Sequence, residues 1–135
     1  MRTLLIWLLV PAAVAVAQDN PFSAFNKRAY GQMKLWILGS ADKTPEEHYS
    51  FKPTAEVRSF GQILGHVADA QYMFCSAVLG EKNPAPKIEQ TKTSKADLIA
   101  ALKDAFAYCD KAYDGATDAS AAQTVKFFGG DTPKL

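Results

Sequence analysis

The sequence predicts an all-α fold built from three amphipathic helices. Three stretches repeat apolar residues every three or four positions, which is the spacing of one face of a helix. Two of these stretches begin with a capping serine, at Ser59 and Ser94. No segment has the regular alternation of apolar and polar residues that marks a half-buried strand. The chain of 135 residues has the length of one domain, so we predict a single helical bundle.

Residues 1–17 have the pattern of a cleavable secretory signal. Arg2 precedes an apolar run from Leu4 to Ala17, which is shorter than the roughly 20 residues needed to span a bilayer. The run ends in Ala15-Val16-Ala17, the small-x-small pattern that signal peptidase accepts. We expect cleavage after Ala17, a secreted or periplasmic location, and no stable membrane insertion of the mature chain. An uncleaved anchor or a buried helix is the alternative.

The charge balance argues against nucleic acid as a partner. Without residues 1–17 the chain carries 14 basic and 14 acidic residues. A neutral chain lacks the positive field that attracts phosphate backbones and anionic membranes. We therefore expect no nucleic-acid binding driven by charge.

The first helix is predicted from about Pro21 to Gly39, where Gly39 and Ser40 end it. Its predicted inner face consists of Phe22, Phe25, Ala29, Met33, Trp36 and Ile37. Residues 41–58 form a connection that contains two prolines and is long for a link between helices. Connections of this kind often cover a site or wrap an edge of a bundle.

The second helix begins after Ser59, because Ser59 and Gln62 fit a capping box, and it ends at Gly80. Its predicted inner face consists of Phe60, Ile63, Leu64, Val67, Ala70, Gln71, Phe74 and Val78. A polar surface loop, residues 81–93, leads to the third helix, which begins after Ser94 and ends near Gly115. Its apolar positions are Leu98, Leu102, Ala105, Cys109 and Ala112. We predict no further helix in the tail.

His66 is the residue best suited to chemistry. It lies on the second helix near the boundary of the apolar face, and neutral imidazole is a good metal ligand. One histidine cannot hold a metal alone, because catalytic zinc sites use about three protein ligands. Asp69, one turn further on, either orients His66 or is a surface carboxylate. We interpret His48, in the polar connection, as a solvated side chain.

Cys75 and Cys109 lie on the second and third helices. Neither has a basic neighbour that would lower the pKa of its thiol, so a nucleophilic role is not favoured. Two buried thiols and one disulfide remain open, and export to an oxidising compartment favours the disulfide. Antiparallel helices would place the two cysteines at opposite ends, unless the long connection lets the helices shift or pass each other.

The approach to the second helix and its first turns form a pattern that carries a resemblance. The pattern is Lys52-Pro53-Thr54 followed by Val57-Arg58-Ser59-Phe60-Gly61-Gln62-Ile63-Leu64-Gly65-His66-Val67-Ala68-Asp69-Ala70. An entering proline, a capping serine, an apolar pair and then a histidine at this spacing are typical of the second helix of the DinB-like family. The chain resembles that family over about residues 20–135, which implies an up-and-down four-helix bundle.

The resemblance also implies a divalent metal (zinc, nickel or iron) held by three histidines. One of them stands at the position of His66, and the other two lie four residues apart on the last helix. Those two histidines are absent from this sequence, which ends at Leu135, where the fourth helix is expected to begin. We therefore expect residues 18–135 to form a C-terminally incomplete bundle with an incomplete metal site. Its uncovered apolar face should favour association, for example as a homodimer.

Members of the family are described as metal-dependent hydrolases or as transferases that use low-molecular-weight thiols. The resemblance therefore implies an exported metal-binding protein that acts on an unknown small molecule. One alternative is a non-catalytic extracytoplasmic binding or interaction module, and another is an incomplete gene product without activity. Stoichiometric retention of metal would separate the enzyme from the interaction module.

Overall fold

The computed structural model describes residues 19–134, and the predicted signal segment 1–17 lies outside them. Three long helices make up most of the described chain: α1 (Pro21–Lys43), α2 (Phe60–Leu79) and α4 (Lys95–Asp114). The smaller elements are a 3-10 turn (Glu46–His48), α3 (Ile88–Thr91), α5 (Asp118–Ala121) and a hairpin of β1 (Thr124–Phe127) with β2 (Gly130–Pro133). The predicted helical bundle is confirmed. None of the helices in residues 19–134 is long and apolar enough to cross a membrane.

The starts of α2 and α4 follow the local capping signals. Ser59 Oγ accepts from the backbone N–H of Gln62 at 3.2 Å, and the Gln62 side chain accepts from the Ser59 N–H at 2.8 Å. Gly80 ends α2 in the left-handed conformation with φ of 70°. Ser94 Oγ accepts from the N–H of Asp97 at 3.1 Å at the start of α4. The boundaries predicted for these two helices are therefore confirmed.

The end of α1 was predicted wrongly at Gly39. The helix continues to Lys43, and the N–H of Thr44 then bonds the Ser40 carbonyl at 3.1 Å. A glycine within a helix costs only about 1 kcal/mol relative to alanine. Tertiary contacts of the last turn outweigh this cost, because Ala41 is fully buried and its carbonyl accepts from the Tyr49 hydroxyl at 2.6 Å.

The tail contains structure that the sequence pattern did not predict. After the single turn of α5, β1 and β2 pair as an antiparallel hairpin in which Phe127 faces Gly130. The two residues between them, Phe128 and Gly129, both have positive φ, as a tight hairpin turn of the primed type requires. Strands of four residues are too short for a clear alternating pattern. The Phe127 ring packs on the Phe74 ring of α2 at 4.8 Å between centroids.

Helices α2 and α4 lie side by side and run in the same direction. Gly61 near the start of α2 lies against Leu98 near the start of α4. Cys75 and Cys109 are joined in a disulfide near the ends of the two helices, with Cα atoms 5.3 Å apart. Residues 80–94 therefore cross over the length of the bundle. A 20-residue helix is about 30 Å long, which roughly ten extended residues can span.

The parallel arrangement resolves the two alternatives for the cysteines in favour of the disulfide. The antiparallel arrangement that would have separated them does not occur. Helix α1 runs opposite to α4, because Lys27 pairs with Asp114 at 2.7 Å while Lys95 donates to the Asp42 carbonyl at 2.7 Å. The long helices therefore run up, down and down, joined by one long connection and one crossover.

The core lies between α2 and α4 and is closed by the end of α1, the 3-10 turn and α3. Its buried apolar residues are Ala41, Tyr49, Leu64, Ala68, Tyr72, Ile88, Leu98, Leu102, Ala105 and Phe106. A second small cluster surrounds the disulfide and includes Ala112.

The predicted inner face is largely uncovered on α1 and partly uncovered on α2. On α1, four residues of the predicted face (Phe22, Phe25, Met33 and Trp36) are between 49% and 74% exposed, and we call them the α1 stripe. On α2, Ile63 and Phe74 are about half exposed, whereas Leu64 is buried. The prediction that these residues line the core was wrong for the α1 stripe. Helix α1 meets α4 through a different side, which contains Ser23 and Tyr30.

Candidate functional site around His66

The candidate site is centred on His66 of α2. Its Nδ1 atom lies 3.1 Å from Oε2 of Glu89, which belongs to α3 in the crossover. About half of the imidazole side chain is exposed (52%). No residue in 19–134 forms a hydrogen bond with Nε2. Within the described residues, Nδ1 is therefore the ring nitrogen that is engaged.

The Glu89 carboxylate is held from two sides. Arg58 Nε donates to Oε1 at 2.7 Å, while Oε2 faces the histidine. The hydrogen bond from Arg58 is the main cause that lowers the pKa of Glu89, and the charges of Arg58 and His66 act in the same direction. Glu89 is consequently a carboxylate at neutral pH and can only accept hydrogen bonds.

Asp69 neither orients His66 nor is a free surface carboxylate, the two alternatives that the sequence left open. Its two carboxylate oxygens accept from the backbone N–H groups of Ile88 and Glu89, at 2.8 and 2.9 Å. These are free N–H groups of the first turn of α3, which a carboxylate can satisfy. Asp69 therefore fixes the backbone of α3, and the group that contacts the imidazole is Glu89.

Gly65 allows α3 to approach α2 closely. A Cβ atom at this position would lie 2.7 Å from Cα and 3.1 Å from N of Glu89. These neighbours are backbone atoms, so no side-chain movement could relieve the clash. The helix thus uses a glycine immediately before His66 where the crossover lies against it.

The described residues supply one candidate metal ligand, His66, and not a complete metal site. Residues 19–134 contain no group of three or more His, Cys, Asp or Glu side chains that could hold a metal ion. His48 is exposed in the 3-10 turn, as predicted. Cys75 and Cys109 form the disulfide, so neither is available as a thiolate ligand.

An open cleft of about 790 Å³ lies beside this cluster. Arg58 and Glu89 contribute to its lining, together with Lys52, Val57 and Ile63. The cleft therefore combines both signs of charge with apolar side chains, a mixture that suits a small amphipathic molecule.

A family model matches the part of the chain that contains these elements. The family model of the DinB superfamily matches residues 33–135, a segment that includes α2, the crossover and all the residues of the His66 cluster. The chain belongs to the DinB superfamily. No curated protein and no solved structure matches the chain. The DinB family is generally metal-associated, which makes His66 the first residue to test.

The DinB resemblance and the helical fold were predicted correctly, but two members of the cluster were missed. Glu89 lies 23 positions after His66 in a short polar segment that had been interpreted as a surface loop. Arg58 was noted only as part of the family pattern. The glycine before His66 is the one local signal for the close approach, because glycine within a helix needs a packing reason.

Proposed function

We propose that this DinB protein is exported and binds a divalent metal ion through His66 Nε2. Zinc, nickel and iron are the candidates, because imidazole suits each of them. A metal-dependent hydrolase or a thiol-dependent transferase acting on a small molecule is the proposed activity, and nucleic acid is not a proposed substrate. The observation that supports the proposal is the half-exposed imidazole whose other nitrogen contacts Glu89. A carboxylate on the distal nitrogen is the usual support of a metal-bound histidine.

The strength of metal binding follows from the number of ligands. A single imidazole leaves the other coordination positions to water, so residues 19–134 alone should bind metal weakly. We therefore expect well under one equivalent of zinc or nickel to remain on purified residues 18–135 after dialysis. The remaining ligands of a tight site have to come from outside these residues or from another molecule.

The test compares the two histidines of the chain. Nickel is titrated into ¹⁵N-labelled protein, and paramagnetic broadening is followed at the imidazole protons of each histidine. We expect His66 to broaden first. His66→Ala should remove this binding, and His48→Ala is the matched control that should leave it intact. Broadening at His48 alone, or equal binding after His66→Ala, would refute His66 as a ligand.

Export is tested separately. N-terminal sequencing of extracellular or periplasmic protein should begin at Gln18. An intact Met1 on membrane-bound protein would contradict cleavage after Ala17.

The α1 stripe favours a second candidate function, a non-catalytic interaction module that forms a homodimer. Contiguous apolar surface of more than a few hundred Å² marks interaction sites. Light scattering should detect a concentration-dependent dimer. Phe25→Ser should weaken the dimer, whereas the same change at Phe128, an exposed residue of the hairpin turn, should not. A monomer at every concentration would rule out this candidate.

A further inference from the structure

Three residues of α2 contact the same point of the crossover. Gly65 brings the Glu89 backbone into van der Waals contact, His66 contacts the Glu89 side chain, and Asp69 accepts from the Glu89 N–H at 2.9 Å. Arg58, which precedes α2, bonds the remaining carboxylate oxygen. The backbone and both carboxylate oxygens of Glu89 are therefore fixed by separate contacts.

These contacts distinguish Glu89 from an ordinary surface ion pair. An exposed glutamate loses side-chain freedom when it pairs, and such pairs contribute little. The Glu89 side chain is only 21% exposed, and its backbone is held independently of the histidine. Contacts that do not involve the imidazole thus offset much of the conformational entropy that Glu89 loses when it is ordered.

The chemistry of the contact determines where the imidazole proton lies. A carboxylate is an acceptor only, so the 3.1 Å contact with Nδ1 requires a hydrogen on Nδ1. In a neutral imidazole the second nitrogen then carries a lone pair. For His66 that second nitrogen is Nε2.

We propose that Glu89 is a positioning residue that holds neutral His66 in the Nδ1–H tautomer and fixes the plane of its ring, so that Nε2 presents its lone pair to a ligand. The inference deepens the proposed function, since it rests on Nε2 being the metal-binding atom. The choice of tautomer itself requires no metal. Arg58 acts indirectly, because it holds the Glu89 carboxylate in place beside the imidazole ring.

The tautomer is measured directly in metal-free protein. Two-bond ¹H–¹⁵N correlation spectra of the imidazole side chains are recorded at about pH 9, where histidine is neutral. We expect Nδ1–H to be the major form of His66. His48 serves as the internal reference and should show the ordinary mixture, in which Nε2–H dominates. Because the contact is partly exposed, we expect the ratio of the two tautomers to differ about tenfold between the two histidines.

Substitutions then identify the cause. Glu89→Ala should shift the His66 spectrum to the pattern of His48, and Arg58→Ala should shift it in the same direction by less. Glu47→Ala, which removes a glutamate next to His48, is the matched control and should leave His66 unchanged. A His66 spectrum like that of His48 in the unaltered protein would overturn the inference, whether or not the variants fold. A persistent Nδ1–H form in Glu89→Ala would also overturn it.

The nickel titration separates this inference from the proposed function. A dominant Nδ1–H tautomer that depends on Glu89, combined with no nickel broadening at His66, would confirm the positioning role and refute the metal site. Nickel broadening at His66 that is unchanged by Glu89→Ala, with an ordinary tautomer mixture, would support metal binding and refute the role of Glu89.

Discussion

Helix α2 meets α4 through buried apolar side chains and a disulfide, whereas the contacts of α1 with the same helix combine polar bonds with the stacked rings of Tyr30 and Tyr113. Between α2 and α4, Leu64 and Leu102 are buried, and Cys75 is bonded to Cys109. Between α1 and α4, the Tyr30 hydroxyl donates to the Phe106 carbonyl at 2.8 Å. Helices α1 and α2 are thus attached to α4 in different ways.

The polar contacts along α1 are numerous and individually weak. Lys34 pairs with Asp110 at 2.6 Å and Lys27 with Asp114 at 2.7 Å, and the second pair is more than half exposed. Exposed pairs of this kind contribute about 0–1 kcal/mol each. The end of α1 packs Ile37, Leu38 and Ala41 on the core, but its four large apolar residues on the α1 stripe are uncovered. An apolar stripe on a helix therefore shows that a surface is available for packing, and not that this chain covers it.

The largest expected effect is the difference between two phenylalanine-to-alanine substitutions, one in the buried core and one on the uncovered α1 stripe. Phe106 is 1% exposed in the core and Phe25 is 63% exposed on the α1 stripe. Phe106→Ala should lower the free energy of unfolding by about 3–5 kcal/mol, through lost burial and a residual cavity. Phe25→Ala should change it by no more than about 0.5 kcal/mol. Urea denaturation at low protein concentration measures both. Equal losses would mean that the α1 stripe is covered in solution.

The disulfide gives the next largest effect. Its loop spans a sequence separation of 34, so its removal should lower the free energy of unfolding by about 3–4 kcal/mol. We expect this loss in a Cys75→Ser, Cys109→Ser double variant, measured by urea denaturation under oxidising conditions. Reductant should reproduce the loss in the unaltered protein and have no further effect on the double variant. Two free thiols in denatured, unreduced protein would show that the bond does not form.

The same comparison explains which parts of the fold were predictable. The start of α2 depends on two residues three positions apart, Ser59 and Gln62, so the sequence alone determines it. The covered side of a helix depends on its neighbour, and periodicity cannot choose between two apolar sides of one helix. On α1 the side that packs contains Ser23 and Tyr30, which an apolar pattern does not select.

The candidate site likewise contains one residue that the sequence identifies and one that it does not. His66 was identifiable because its spacing from the capping serine is local to α2. Glu89 was not, because its contact depends on how the crossover returns along the helix, and a 23-residue separation leaves no periodic signal. For the same reason, the sequence did not predict the direction of α4 relative to α2. Two contacts in space, Gly61 with Leu98 near the helix starts and Cys75 with Cys109 near the helix ends, show that the two helices are parallel.

A smaller effect is expected from the Tyr30 hydroxyl, one of the polar groups that join α1 to α4. Burial raises the pKa of Tyr30, and the nearby Asp110 raises it further, so Tyr30 stays a neutral donor. Tyr30→Phe removes its bond to the Phe106 carbonyl and should cost about 0.5–1.5 kcal/mol. Tyr113→Phe is the matched control, because the Tyr113 ring stacks on Tyr30 at 4.0 Å and the substitution keeps that contact. A larger loss for Tyr113→Phe would contradict this account of the α1–α4 contact.

The smallest effect concerns the N-terminus of α1 and appears as a pH dependence. The Asp118 carboxylate, from α5, accepts from the Ser23 N–H and hydroxyl at 2.8 Å each and from the Phe22 N–H at 3.3 Å. The bond from the Ser23 N–H is the main cause that lowers the pKa of Asp118 below its ordinary value of 3.8. A carboxyl whose pKa is depressed in the folded state stabilises that state above the ordinary pKa. The stabilisation is lost as the pH falls through the depressed value.

Asp118→Asn should therefore lower the melting temperature at pH 7, and its difference from the unaltered protein should shrink as the pH falls from about 5 to below the depressed pKa. Thermal unfolding monitored by circular dichroism across that range measures the difference. Ser23→Ala is the matched control. It removes one hydroxyl donor but leaves the two backbone donors at the end of α1, so most of the pH dependence should remain. A difference between Asp118→Asn and the unaltered protein that is constant with pH would mean that Asp118 does not hold α1 through its charge. The polar attachment of α1 would then depend on its contacts with α4 alone.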